Sequence, residues 1–171
     1  MDDRSAEPVL TDFGLRHIES RPTASARVVI PMANLDLAAV FARYLPEVGR
    51  RLGELGIGPS AAPFGRYHRF GPDVVDVEVG IPVAERVAAL APLGEVEAGT
   101  IGRSELPGGE VAFAVFHGPY DGLSKAYDRL HDWIHAQGRD AGDGPWESYV
   151  VDPSTVADPS QLRTELCWPV R

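Results

Sequence analysis

The 171 residues contain one cysteine, Cys167, so no disulfide can form within the chain. A reducing, cytoplasmic setting is the expectation. No apolar run approaches the ~20 residues that a membrane span needs, which excludes a hydrophobic helical anchor. The first dozen residues, "MDDRSAEPVLTD", are acidic and lack the apolar stretch of a secretion signal, and they are expected to form a flexible acidic N-terminus over residues 1–12. Positive charge is scarce: 16 Lys and Arg stand against 25 Asp and Glu, a formal net charge of −9. That balance opposes direct nucleic-acid binding, which asks for a basic patch. Lys125 is the only lysine, which reads as coding bias. No phosphate-cradling glycine loop stands out, and "GIGPS" at 56–60 is a helix exit. The histidines His17, His68, His117, His131 and His135 are scattered. His131 and His135 have the spacing of a helical metal pair but are displaced from the apolar helix face, so a solvated pair is expected. Neither a metal nor a cofactor is expected.

What the chain does have is an internal repeat. A shift of 146 − 64 = 82 lays Phe64 on Trp146, Tyr67 on Tyr149 and Gly56 on Gly138. It also lays Phe41, Leu45, Val48 and Leu52 on Leu123, Tyr127, Leu130 and Ile134. Spacings of 4, 3 and 4 mark one face of an amphipathic helix, and the matched glycines suit its C-terminal cap. "ARVVIPM" falls on "GEVAFAV", two segments with the branched and aromatic content of strands. Near the end of each copy, "VEVGIPV" resembles "TELCWPV" at a shift of 165 − 78 = 87, so the second connecting hairpin is five residues longer. Each half reads strand, helix, strand, strand, with an additional strand ahead of it at "FGLRHIES" and "EVEAGTIG". The boundaries expected are repeat 1 over about 13–83, a linker over about 84–94 and repeat 2 over about 95–171. The fold class is α/β, more closely α+β: a tandem pseudo-twofold repeat of β-α-β-β units. It has antiparallel sheets with a helix on one face and a ligand cleft between the halves.

The carriers "APFGRYHRF", "VDVEVGIPV", "LPGGEVAFAVFHGPYDGL", "GPWESYVVDP" and "RTELCWPV" resemble, in order and spacing, the GyrI-like small-molecule-binding domain of bacterial effector-binding proteins. The resemblance covers 13–171. It implies a pocket between the halves for flat, hydrophobic, often cationic molecules. Members of that family serve as multidrug-binding domains behind a DNA-binding head, or stand alone. A further group hydrolyses cyclopropane-bearing DNA-alkylating natural products in self-resistance. A stand-alone domain is expected here, because a dozen residues leave no room for a helix-turn-helix ahead of the first strand.

Alternation along the strands selects the site candidates. Glu147 and Tyr149 share one face of "WESYV"; Trp146 and Ser148 share the other. Val77, Val79 and Ile81 form an apolar face expected to pack under the helix. Glu78, and Glu165 by the repeat, face away from that helix, toward the expected cleft. A carboxylate in an aromatic pocket needs compensation. Glu147 either meets a cationic ligand, with cation–π help of ~0.5–2 kcal/mol, or has a raised pKa and acts as acid or base. Glu147 and Tyr149 are the candidate catalytic pair. Tyr67, His68, Phe116, Tyr120, Trp146, Glu165 and Trp168 are candidate ligand contacts. Core packing competes with a ligand role for Trp146, Trp168 and Tyr120, and a structural seam role competes for Glu165. Asp121 is expected to cap the second helix. The partner expected is a small aromatic or cationic molecule, with no direct nucleic acid and no membrane. The first functional reading is a stand-alone binding module. The second is a cyclopropane-opening hydrolase in which Glu147 activates water.

Overall fold

The computed structural model describes residues 9–171. Residues 1–8 of the expected acidic tail lie outside the described residues, and residues 9–12 already belong to a strand. The elements in chain order are β1 (Val9–Ile18), β2 (Arg21–Pro31), α1 (Leu37–Glu54), β3 (Phe64–Phe70) and β4 (Val74–Pro82). The second set is β5 (Gly102–Leu106), β6 (Gly109–His117), α2 (Leu123–Ala136), β7 (Trp146–Tyr149) and β8 (Arg163–Pro169). All eight strands join one antiparallel sheet in the order β1-β6-β8-β7-β3-β4-β2-β5. Among the described residues no helix is long and apolar enough to cross a membrane.

The strand order reads the same from both ends once the repeats are exchanged: β7 answers β3, β8 answers β4, β6 answers β2 and β1 answers β5. The halves therefore meet edge to edge at β3 and β7, where Gly65 lies directly opposite Glu147. Because 65 + 82 = 147, each is the repeat image of the other, and the pseudo-twofold axis crosses the sheet between them. Two expectations need correcting. The strand preceding the second repeat is 102–106 rather than "EVEAGTIG", whose glycine and threonine run forms turns. The edge strands are also exchanged, with β1 pairing β6 and β5 pairing β2, so neither sequence half is a closed unit.

The helices form where the apolar spacing demands. α1 buries Val40, Tyr44, Val48 and Leu52; α2 buries Ala126, Leu130 and Ile134. Burying each large apolar side chain is worth ~1.5–3 kcal/mol. Asp36 caps α1 by accepting from the Ala39 amide at 3.0 Å. The expected cap at Asp121 does not form: a 3-10 turn over Tyr120–Gly122 intervenes, and Gly122 begins α2 with no side-chain bond. At the other end the two helices match, with Gly56 and Gly138 at φ +71 and +73, the left-handed conformation that glycine adopts without Cβ strain.

α1 packs on β2 and β4, against Val75, Val77 and Val79; α2 packs on β6 and β1, against Ala112 and Ala114. Neither helix lies over β3 and β7, so a trough opens between the helices above the pseudo-axis. On the far face, Phe64, Leu106, Val111, Trp146 and Cys167 form a separate core.

Candidate functional site

The trough is a cavity of about 1190 Å³. Its floor is the β3–β7 seam, with Tyr67, Glu147 and Tyr149. Leu37, Phe41 and Leu45 of α1 form one wall, and Tyr127 of α2 with Trp168 of β8 forms the other. The sequence reading put the cleft on the face away from the helices. The structure puts it on the helix face, because two helices spaced over the outer strands leave the inner pair uncovered.

Glu147 is 2% exposed, and among the described residues no cationic side chain pairs with it. Its carboxylate accepts from three phenols instead. Tyr149 donates to Oε1 at 2.7 Å and Tyr67 to the same oxygen at 2.9 Å, while Tyr127 donates to Oε2 at 3.1 Å. Burial raises the Glu147 pKa, and the three hydrogen bonds oppose but do not cancel that rise. The phenols respond in turn: burial first, then the neighbouring carboxylate, push Tyr67, Tyr127 and Tyr149 upward, so they stay protonated donors. The rings are braced edge-on. Tyr149 meets Phe41 at 5.3 Å and Tyr120 at 5.7 Å between centroids; Tyr127 meets Tyr67 at 6.2 Å and Trp168 at 5.8 Å. Carboxylates offer about four acceptor sites, so Oε2 retains one.

Of the residues singled out from sequence, Tyr67, Tyr120, Glu147, Tyr149 and Trp168 line this cavity. Tyr120 is 38% exposed at the mouth. The Trp168 indole donates to the Gly142 carbonyl at 2.8 Å, which holds its ring upright in the wall. His68 belongs to the cavity edge, but its Nε2 lies 2.9 Å from Glu78 Oε1 on the other side of the sheet. Three candidates lie elsewhere. Trp146 alternates to the far face and packs with Phe64 and Cys167. Glu165 also faces that side, paired with Arg16 and beside Cys167. Phe116 is core beneath α2, against Leu10 and Leu130. The cleft expected on the far face accounts for Glu165, which pairs across from Ser148 and so points away from Glu147. Trp146 follows from its alternation with Glu147, and Phe116 lies on the cavity's own face but under α2 instead of between the helices.

The sequence reading passed over Tyr127 and Phe41 as site residues because both sit on a helix face read as core. A signal existed for Tyr127. Its repeat counterpart is Leu45 (127 − 82), so a hydroxyl appears in one half where the other has a hydrocarbon, just as Glu147 replaces Gly65. Among the described residues no three metal-ligating side chains come together. His131 and His135 meet edge-on at 4.6 Å between centroids, and His131 lies against Trp168.

This geometry has solved counterparts. The EcmrR C-terminal domain is 23% identical, with a TM-score of 0.75, over 94% of this chain and 97% of that one. In the EcmrR–DNA complex the same likeness spans only 57% of the EcmrR chain. SAV2435 bound to tetraphenylphosphonium is 13% identical, with a TM-score of 0.66, over 94% of both chains. A hydrolase from Listeria innocua is 12% identical, with a TM-score of 0.60, over 93% of this chain and 91% of that one. No curated protein matches the chain. At these identities the structures establish a common fold. The family model for the GyrI-like small molecule binding domain, however, matches residues 17–171, nearly the whole chain, and by that match the protein belongs to the GyrI-like family.

Proposed function

We propose that the protein captures a hydrophobic aromatic cation in the trough between its helices. The observation that carries this reading is Glu147: a buried carboxylate with no cationic partner among the described residues, at the floor of an aromatic cavity large enough for a drug-sized molecule. Phenol donors stabilise the charge only in part, since burial still raises its pKa. A ligand cation would supply the missing attraction through low-dielectric space, and the faces of Tyr67, Tyr127, Tyr149 and Trp168 would add cation–π contact. Asp121, Asp128, Asp143 and Asp152 also line the cavity against one arginine, Arg69, so its net charge favours cations.

Tetraphenylphosphonium, the ligand in the SAV2435 complex, is a suitable probe. Calorimetric titration should give saturable binding to the wild type, and Glu147→Gln should weaken it more than tenfold, corresponding to ~1.5–3 kcal/mol for a charge-assisted interaction. Equal affinity in both proteins would refute the reading. The net charge of −9 extends the proposal: this chain makes no sequence-specific DNA contact of its own. A sequence-specific gel shift at physiological salt would overturn that part.

A hydrolytic reading rests on the remaining acceptor site of Glu147 Oε2. The carboxylate would take a proton from water as the water oxygen bonds to a cyclopropane carbon. The ring C–C bond would break with its electron pair passing into the substrate's conjugated ring system, and that system would then be protonated. The substrate would be a cyclopropane-bearing aromatic alkylator. Incubation with such a compound, followed by mass spectrometry, separates the readings: a water adduct formed over many turnovers supports catalysis, and unchanged bound compound supports capture alone.

A further inference from the structure

At the pseudo-axis a carboxylate faces a hydrogen. Gly65 on β3 and Glu147 on β7 are directly paired, and both point to the helix side of the sheet. The backbone does not require a glycine there, since Gly65 is absent from the positive-φ glycines. Space does. A Cβ at Gly65 would stand 2.8 Å from the Phe41 ring edge and 2.8 Å from the Tyr149 hydroxyl. That hydroxyl is the one 2.7 Å from Glu147 Oε1, the shortest of the three phenol contacts. The empty volume at residue 65 is therefore occupied by the phenol that holds the carboxylate.

We propose that Gly65 is a positioning residue of the cavity, whose missing side chain seats the Tyr149 hydroxyl on Glu147 and admits the Phe41 ring to the wall. It also keeps the axis singly charged. A second carboxylate at 65 would face the first with Cβ atoms about 4.5–5.5 Å apart, the separation of directly opposed strand residues. Two such groups in one dry pocket do not both ionise readily. Duplication thus supplies two equivalent axis positions, and the protein uses one for charge and the other for the donor that steadies it.

The test follows the Glu147 carboxyl by carbon-13 NMR, with its resonance assigned by its loss in Glu147→Gln. Among the described residues, the titratable groups around Glu147 are Tyr67 from β3, Tyr149 from its own strand, Tyr127 from α2 and Tyr120 from the turn before α2, with Asp121, Asp128, Asp143, Asp152, His68 and Arg69 elsewhere in the cavity lining. α1 contributes the neutral Phe41, and β8 contributes the neutral Trp168. Gly65→Ala should raise the Glu147 midpoint by about one pH unit, the equivalent of one weakened hydrogen bond to a charged group. Tyr149→Phe should raise it by a similar amount, and the double variant by no more than either alone, because the two changes act through one contact. Phe41→Leu/Gly65→Ala makes room for the new methyl on the ring side. It keeps the experiment decisive if Gly65→Ala alone folds poorly, and its midpoint should still exceed that of Phe41→Leu. An unchanged midpoint in these alanine variants, or additive shifts in the double variant, would overturn the proposal, leaving Gly65 as packing against Phe41.

The affinity arm rests on the cation-capture reading. At a pH below the wild-type Glu147 midpoint, where the carboxyl must lose its proton to meet the cation, tetraphenylphosphonium binding should fall about tenfold in Gly65→Ala, in step with the rise of the midpoint. If the wild type binds no cation, that reading fails while the titration still decides the role of Gly65.

Discussion

Among the described residues two glutamates are nearly sealed from water, and they sit on opposite faces of one sheet. Glu78 is 1% exposed on the far face; Glu147 is 2% exposed on the helix face. Their surroundings differ in kind. Glu78 has a basic partner, His68, and hydroxyls around it, the buried Ser25 and the half-buried Ser104. Burial pushes its pKa up, but the bonds from His68, Ser25 and Ser104 outweigh burial and leave it lowered. One of its oxygens, Oε2, still lacks a partner of good geometry. Glu147 has phenols only, and its pKa stays raised. A carboxylate whose partners belong to the fold is a structural element. A carboxylate left short of compensation at the floor of a cavity is poised for something that arrives from outside.

Replacing Glu78 should therefore damage the fold and spare the site. Glu78→Ala leaves His68 and its hydroxyl neighbours facing a void, a loss of about 3 kcal/mol for a broken buried pair. For a chain of this size that is a fall in Tm of roughly 6–12 °C, measurable by calorimetry. Tetraphenylphosphonium affinity, measured well below the melting range, should be unchanged. Glu147→Gln should do the reverse, losing more than tenfold in cation affinity with no fall in Tm near neutral pH. If both variants lose affinity equally, the distinction between the two carboxylates collapses.

Glu165 sharpens the comparison because it is the repeat image of Glu78. It faces the same side, but its side chain is 29% exposed and its partner Arg16 is 40% exposed. Solvent screens such a pair, and it contributes at most ~1 kcal/mol. Glu165→Gln should lower Tm by no more than about 4 °C and leave binding intact. A loss of binding in a folded Glu165→Gln would mean that the far face takes part in the site.

Much of this organisation was legible in the sequence. The 82-residue shift located both helices, both capping glycines and the break in symmetry at Glu147, because periodicity and repeats are local properties of the chain. Strand alternation sorted Glu147 and Tyr149 from Trp146 and Ser148 correctly. Which face held the cavity was not legible. That depends on where the helices sit over an eight-stranded sheet, and on edge strands that cross between halves, both set by long-range pairing. The same blindness hid Tyr127, which sequence periodicity counts as core and the structure turns toward the carboxylate. It also misjudged "EVEAGTIG", since the pairing of 102–106 with β2 settles where that strand begins.

The smallest effect is a pair of opposite slopes in stability against pH. Glu78 has a lowered pKa in the folded chain. Its contribution is fully present above the unfolded carboxylate value of ~4.3 and is lost as pH falls through the lower folded value. Glu147 has a raised pKa, so its sign is reversed. Below ~4.3 the carboxyl is protonated in both states and costs nothing extra. As pH climbs from there through the folded value, the unfolded chain ionises more readily and the folded state loses stability. Tm curves for the wild type, Glu78→Gln and Glu147→Gln from acidic to neutral pH should therefore diverge in opposite senses. The deficit of Glu78→Gln should shrink toward acid. Glu147→Gln should gain on the wild type as pH rises above ~4.3, then hold a constant lead. A constant offset from altered hydrogen bonding moves a whole curve and leaves its slope, so the slope is the quantity to read. Saturating tetraphenylphosphonium should flatten the Glu147 slope, since a bound cation favours the charged form. Parallel curves for all three proteins would show that neither carboxylate titrates differently in the fold, and the contrast between the two faces would then rest on geometry alone.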